Sequence, residues 1–206
     1  MNNYSLYLVT DRSLLKGRSL VELIEKSILG GVSIVQLREK DTSSLEFYNI
    51  AKEVKSITDK YNVPLIINDR IDIALAINAS GVHIGQSDIP CSIARKILPK
   101  DMIIGVSAHN LEEALKAVED GADYLGCGAI FSTSTKKDVT SLSYEGLKEI
   151  TSHINIPIVA IGGINENNIM NLKGSGINGV AVVSAILGKE EVKKASENLL
   201  EIVKTL

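Results

Sequence analysis

The sequence predicts an α/β fold, a single (β/α)8 TIM barrel in which residues 1–206 form one catalytic domain. Three observations predict it. Eight short apolar runs alternate with longer amphipathic stretches from one end of the chain to the other. Each run is a continuous hydrophobic block, as parallel strands covered on both faces require. No linker, charge block or low-complexity segment interrupts the series, so the units belong to one architecture. A doubly wound open sheet is the alternative. It calls for a Gly-rich dinucleotide turn after the first strand, where Val9-Thr10-Asp11-Arg12 stands instead.

The predicted strands are 4–9, 33–37, 64–67, 81–84, 102–106, 124–131, 157–161 and 179–183. Pro64 and Pro157 open strands, where a missing N–H is tolerated. Between them, 20–29 places Leu20, Leu23, Ile24 and Ile28 on one face, with Glu22, Glu25 and Lys26 opposite. The pattern repeats over 45–61 and over 111–119, where Asn110 is the expected N-cap. Asn165 is expected to cap a helix through Leu172, and a last helix over 190–204 closes the ring. Gly30-Gly31, Gly81, Gly121, Gly174 and Gly176 fall where helices should end.

Composition narrows the function. Aromatics make up 4% of the chain and Trp is absent, which suits a core of branched aliphatic side chains. A net charge of -3 provides no global basic field for nucleic acid or an anionic membrane, so any anion site is local. Cys91 and Cys127 have no disulfide or metal-ligand spacing, which points to a reducing, cytoplasmic setting. The first residues lack the pattern of a signal peptide, and no apolar run is long enough for a bilayer span, so a soluble protein is expected. Assembly into a homo-oligomer is compatible with the sequence.

In a barrel of this kind, chemistry gathers where strands end and the following loops begin. The second strand runs out into Gln36-Leu37-Arg38-Glu39-Lys40. Alternation along a strand sends Gln36, Arg38 and Lys40 to the same side, a wall suited to phosphate oxygens. Asp69 and Asp88 end neighbouring strands, and two close carboxylates repel unless a proton or cation intervenes. Mg2+ held by one or two carboxylates plus substrate phosphate oxygens resolves this. Alternatively, Asp69 pairs with Arg70 or Arg38, and Asp88 caps the helix after Pro90. The loop Ser132-Thr133-Ser134-Thr135-Lys136 has the hydroxyls and cation of a phosphate cradle, or is simply a polar loop. Gly162-Gly163 and Ser184 fall at the seventh and eighth strand ends, the usual phosphate position. Two anion sites are therefore expected, one over strands two to five with a divalent cation, the other over strands six to eight. His83, mid-strand, is expected to pack in the barrel, His109 to lie near the fifth strand end, and His153 on a surface helix.

The ordered set of motifs resembles the thiamine phosphate synthase family over nearly the whole chain. The matching segments are Tyr7-Leu8-Val9-Thr10-Asp11, Gln36 to Lys40, Ile67-Asn68-Asp69-Arg70 and Gly81-Val82-His83-Ile84-Gly85-Gln86-Ser87-Asp88. They continue with Ile104-Gly105-Val106-Ser107, Gly128-Ala129-Ile130-Phe131 with Thr133 to Lys136, Ala160-Ile161-Gly162-Gly163-Ile164, and Val183-Ser184. The resemblance implies joining of a hydroxymethylpyrimidine diphosphate to a thiazole phosphate, with release of diphosphate. It implies that Gln36, Leu37, Arg38, Glu39, Lys40, Asn68, Ser107 and Lys136 bind the pyrimidine diphosphate, with Asp69 and Asp88 as Mg2+ ligands. Thr133, Ser134, Thr135, Gly163, Val183 and Ser184 would hold the thiazole phosphate. The implied mechanism is dissociative: diphosphate leaves and the thiazole nitrogen attacks a pyrimidine-methyl cation. Arg38, Lys40, Lys136 and Ser107 would serve catalysis by neutralising charge and aligning the partners, with no protein nucleophile.

A thiazole tautomerase branch shares the fold, but it typically lacks the diphosphate residues and carries a His where Ala129 stands here. A barrel that only senses a phosphorylated metabolite is a third reading, separated from an enzyme by an activity assay. The loop after Lys136, Asp138 to Ser143, departs from the Pro/Gly-rich character often seen in the family, which bears on loop dynamics.

Overall fold

Eight parallel strands pair in chain order and close β8 onto β1 in the computed structural model, which describes residues 3–132 and 141–206. They are β1 Leu6–Val9, β2 Ile34–Leu37, β3 Leu65–Asn68, β4 Gly81–Ile84, β5 Ile103–Ala108, β6 Tyr124–Cys127, β7 Ile158–Ile161 and β8 Gly179–Val182. The helices are α1 Leu20–Leu29, α2 Ser44–Lys60, α3 Ile71–Ala76, α4 Cys91–Ile97, α5 Leu111–Glu119, α6 Tyr144–His153, α7 Ser184–Leu187 and α8 Val192–Val203.

Because side chains alternate along each strand, the ring has two separate apolar layers. Leu6, Leu8, Val35, Leu37, Leu65, Ile67, Ile104 and Leu125 point outward and pack under the helices. Tyr7, Val9, Ile34, Ile66, Tyr124, Val159 and Ala181 point inward and fill the barrel. Asn110 caps α5 as expected, and Ser19, Ser43 and Ser143 likewise accept a backbone N–H in the first turn of α1, α2 and α6.

Three boundaries differ from the sequence reading. The sixth strand leaves the regular ladder after Cys127, although Ile130 and Phe131 N–H still donate to Ile161 and Gly162 carbonyls. After β7 a turn leads into a 3-10 helix, Ile169–Leu172, where a helix capped by Asn165 and running through Leu172 was expected. Asn165 Oδ1 does accept from Asn167 N–H and the Asn165 carbonyl from Ile169 N–H, so Asn165 caps the turn while the segment continues as 3-10. Finally, Ser184–Leu187 forms a short separate helix before α8, which begins at Val192. Among the described residues no helix is long and apolar enough to cross a membrane.

Candidate active site

The C-terminal ends of the strands surround a cavity of about 610 Å3, a size suited to small organic ligands. One wall is built by the alternation of β2: Gln36, Arg38 and Lys40 all line the cavity. Leu37 does not, since it points outward into the core beneath the helices. Nor does Glu39, which is buried against Arg12, with Oε2 3.5 Å from Nε. Burial holds the Glu39 carboxyl above its usual range. Contact of Leu37 or Glu39 with a cavity ligand is therefore left to the backbone.

Across the next two strand ends sit Asn68, Asp69 and Asp88. Asp69 adopts a left-handed backbone (φ 62°), which short polar side chains tolerate, and its Oδ2 receives the Lys40 ammonium. Arg70 is turned away to Asp72 and Ser44. Asp88 Oδ2 accepts from Gly85 N–H at 2.6 Å, and α4 has no side-chain cap, so Asp88 does not cap that helix. The Asp88 carboxyl is held above its usual range, first by burial and then by the neighbouring Asp69, against the lowering effect of the Gly85 N–H.

On the opposite wall Gly163, Val183 and Ser184 face the same cavity. Gly163 has φ 63°, and a Cβ there would stand 2.4 Å from the Ser132 carbonyl oxygen, so only glycine lets the two backbones approach. Thr133, Ser134, Thr135 and Lys136 lie outside the described residues. Ala129 lines the cavity as well.

The cavity floor was not legible from strand ends. Tyr7 and Tyr124, inside the barrel, line it together with His83 and Ser107. His83 Nδ1 lies 2.9 Å from the Tyr124 hydroxyl and Nε2 lies 3.0 Å from Ser107 Oγ. The expectation that His83 packs within the barrel holds, yet it also touches the cavity. His109 lines the rim and pairs with Glu113, while His153 lies on the surface end of α6. The signal available was period two: Tyr7, Gln36, His83, Ser107 and Tyr124 all occupy inward positions of their strands.

Comparison with known proteins decides the family. A family model described as thiamine monophosphate synthase matches residues 6–186. The chain belongs to the thiamine monophosphate synthase family. It is 66% identical over 195 residues to the thiamine-phosphate synthase of Clostridium tetani, covering 95% of this chain and 93% of that protein. The thiamine-phosphate synthase of Clostridium novyi is 57% identical, with 97% and 98% covered. Among solved structures, thiamine phosphate pyrophosphorylase from Pyrococcus furiosus superposes with a TM-score of 0.90 at 40% identity, covering 98% of this chain and 96% of that one. Like these relatives, this member of the thiamine monophosphate synthase family is a transferase of thiamine biosynthesis built on a TIM barrel.

Proposed function

We propose that this enzyme joins 4-amino-2-methyl-5-(diphosphooxymethyl)pyrimidine to 4-methyl-5-(2-phosphoethyl)thiazole, or its carboxylated form, giving thiamine phosphate and diphosphate. The observation that carries the reading is one cavity with two dissimilar walls. Arg38, Lys40, Asp69 and Asp88 stand on one, and Gly163, Val183 and Ser184 on the other. Two anionic substrates bound this way would meet over the barrel floor.

The donor set fits Mg2+. Asp69 and Asp88 are close enough that the charge of one raises the proton affinity of the other. Among the described residues no group of three or more His, Cys, Asp or Glu converges, so two carboxylates would leave places for phosphate oxygens and water, as this ion prefers. When bound, Mg2+ would offset negative charge on the leaving diphosphate.

The remaining chemistry falls to side chains. Arg38 and Lys40 hold the diphosphate and stabilise the charge it gains as the methylene C–O bond breaks and the electron pair departs with oxygen. Gln36, Asn68 and Ser107 orient the pyrimidine and its leaving group. Lys136 joins Arg38 and Lys40 at the diphosphate, while Gly163, Val183 and Ser184, with Thr133, Ser134 and Thr135, fix the thiazole phosphate so that its ring nitrogen faces the methylene carbon. The nitrogen lone pair then forms the new C–N bond. No protein nucleophile is required, and alignment supplies much of the rate.

Two buried cysteines that form no disulfide suit a cytoplasmic setting. The test is direct: purified enzyme, both phosphorylated halves and Mg2+ should yield thiamine phosphate and diphosphate in equal amounts. Tight binding of both without turnover would replace the synthase reading with that of a metabolite sensor.

A further inference from the structure

Beneath the proposed pyrimidine site, five inward side chains from five strands form an unbroken hydrogen-bond chain. Gln36 Nε2 donates to the Tyr7 hydroxyl at 2.9 Å. Tyr7 and Tyr124 hydroxyls are 2.7 Å apart. The Tyr124 hydroxyl meets His83 Nδ1 at 2.9 Å, and His83 Nε2 meets Ser107 Oγ at 3.0 Å. Gln36, Tyr7, Tyr124 and His83 are all buried. Both ends, Gln36 and Ser107, line the cavity.

Each phenol has a single proton to donate, so with a neutral His83 imidazole the chain, taken in sequence from Gln36 to Ser107, runs in one of two polarities. Burial holds both phenols protonated, so neither carries a charge that would break the sequence. With Gln36 donating to Tyr7, the Tyr7 proton must go to Tyr124, and the Tyr124 proton to His83 Nδ1. His83 then carries its own proton on Nε2 and donates it to Ser107 Oγ. The Ser107 proton remains for a cavity ligand, and Gln36 keeps its carbonyl oxygen as an acceptor and the second N–H of its amide as a donor. In the reverse polarity Ser107 spends its proton on His83, and Gln36 presents its NH2 group.

We propose that Tyr7, Tyr124 and His83 are positioning residues that couple the two ends of the pyrimidine-diphosphate site. They fix the Nε2–H tautomer of His83, so that the Ser107 proton is kept for a ligand, while the link to Tyr7 orients the Gln36 amide with its carbonyl oxygen unspent. This rests on the proposed function, because the substrate there supplies matching chemistry at both ends. A 4-amino group is a donor that can use the Gln36 carbonyl, and a diphosphate oxygen is an acceptor that can use the Ser107 proton.

The tautomer is measurable without turnover, by heteronuclear NMR of nitrogen-labelled enzyme, with His83 assigned by comparison with His83→Gln. The expected result is a proton on Nε2 and none on Nδ1. Tyr124→Phe keeps the ring and removes the link. It should lower kcat about 10- to 100-fold, the scale of one hydrogen bond to a charged group, and leave KM for the thiazole phosphate unchanged. Tyr7→Phe cuts the chain one link earlier, so it should raise KM for the pyrimidine diphosphate and let both His83 tautomers be populated. Product formation by a wild-type enzyme with a proton on His83 Nδ1, alone or on both nitrogens, overturns the chain while leaving the function intact. So does a Tyr124→Phe enzyme with wild-type kcat. Absence of product from the wild type overturns the function on which the coupling rests, whichever tautomer is found.

Discussion

Gly105 is the residue on which the barrel floor depends most. A methyl group there would stand 2.1 Å from Cζ, 2.3 Å from Cε1 and 2.4 Å from the hydroxyl oxygen of Tyr124. The ring cannot simply swing aside. It is 1% exposed, it packs at 5.1 Å from the Tyr4 ring and 5.8 Å from the Tyr7 ring, and its hydroxyl is held by Tyr7 and His83. Overpacking of a filled interior costs about 1–3 kcal/mol. Displacing the ring also leaves at least one buried hydrogen-bonding group without its partner, at about 1–3 kcal/mol. Gly105→Ala should therefore lose about 2–6 kcal/mol of stability, which at a slope of about 2 kcal/mol per M lowers the urea midpoint by about 1–3 M. Turnover should drop as well, because Tyr124 orients His83 and, through it, Ser107. Equilibrium urea unfolding followed by circular dichroism is the assay. A midpoint indistinguishable from wild type would refute the reasoning, since it would mean that the ring has room that the packing denies.

Four further outcomes follow from the site and its surroundings. Asp69→Asn keeps a side chain that tolerates the left-handed backbone (φ 62°) and gives up an exposed pair with Lys40 worth about 0–1 kcal/mol. Thermal stability should hardly change while turnover falls about 100-fold or more, and equal losses in both would make Asp69 structural. Excess chelator should stop product formation and added Mg2+ restore it; undiminished synthesis in chelator would remove the metal from the mechanism. Glu39 has a carboxyl raised by burial, so its contribution to stability is present below the ordinary carboxylate pKa, about 4.3, and is lost as pH rises through the raised value. Wild type should accordingly gain melting temperature relative to Glu39→Gln as the pH falls from neutral into the acid range; a flat difference would contradict this. Burial pushes the Cys91 thiol up to about 11 and the Cys127 thiol up to about 12, so alkylating reagents at mildly alkaline pH should label neither until the protein unfolds. Rapid labelling of the native enzyme would show a more open barrel wall.

Local chemistry explains why much of the fold was legible. The expected bounds of 20–29 and 111–119 coincide with α1 and α5, because an apolar stripe and a capping side chain, Ser19 or Asn110, act within one helix turn. After β7 the cap at Asn165 and the end at Leu172 were legible, whereas the 3-10 winding between them was not, since apolar periodicity over so short a run does not separate the two helix types. Of the proposed site, Gln36, Arg38 and Lys40 were legible by alternation alone, as were Asp69 and Asp88 by their place at strand ends. Leu37 and Glu39 were placed at the site by the family resemblance, and alternation turns their side chains to the other face.

By itself, the sequence determined which stretches become strands and helices, that the strands are covered on both faces, and which charged groups stand at their ends. Those properties depend on residues a few positions apart. Barrel closure decided the rest: that Lys40 engages Asp69 and not Asp88, that Glu39 is turned to Arg12, and that Tyr7, Gln36, His83, Ser107 and Tyr124 join in one chain. Such contacts span separations of 24 to 117 residues, and they exist only once strand tilt and register have set which inward side chains share a level of the ring.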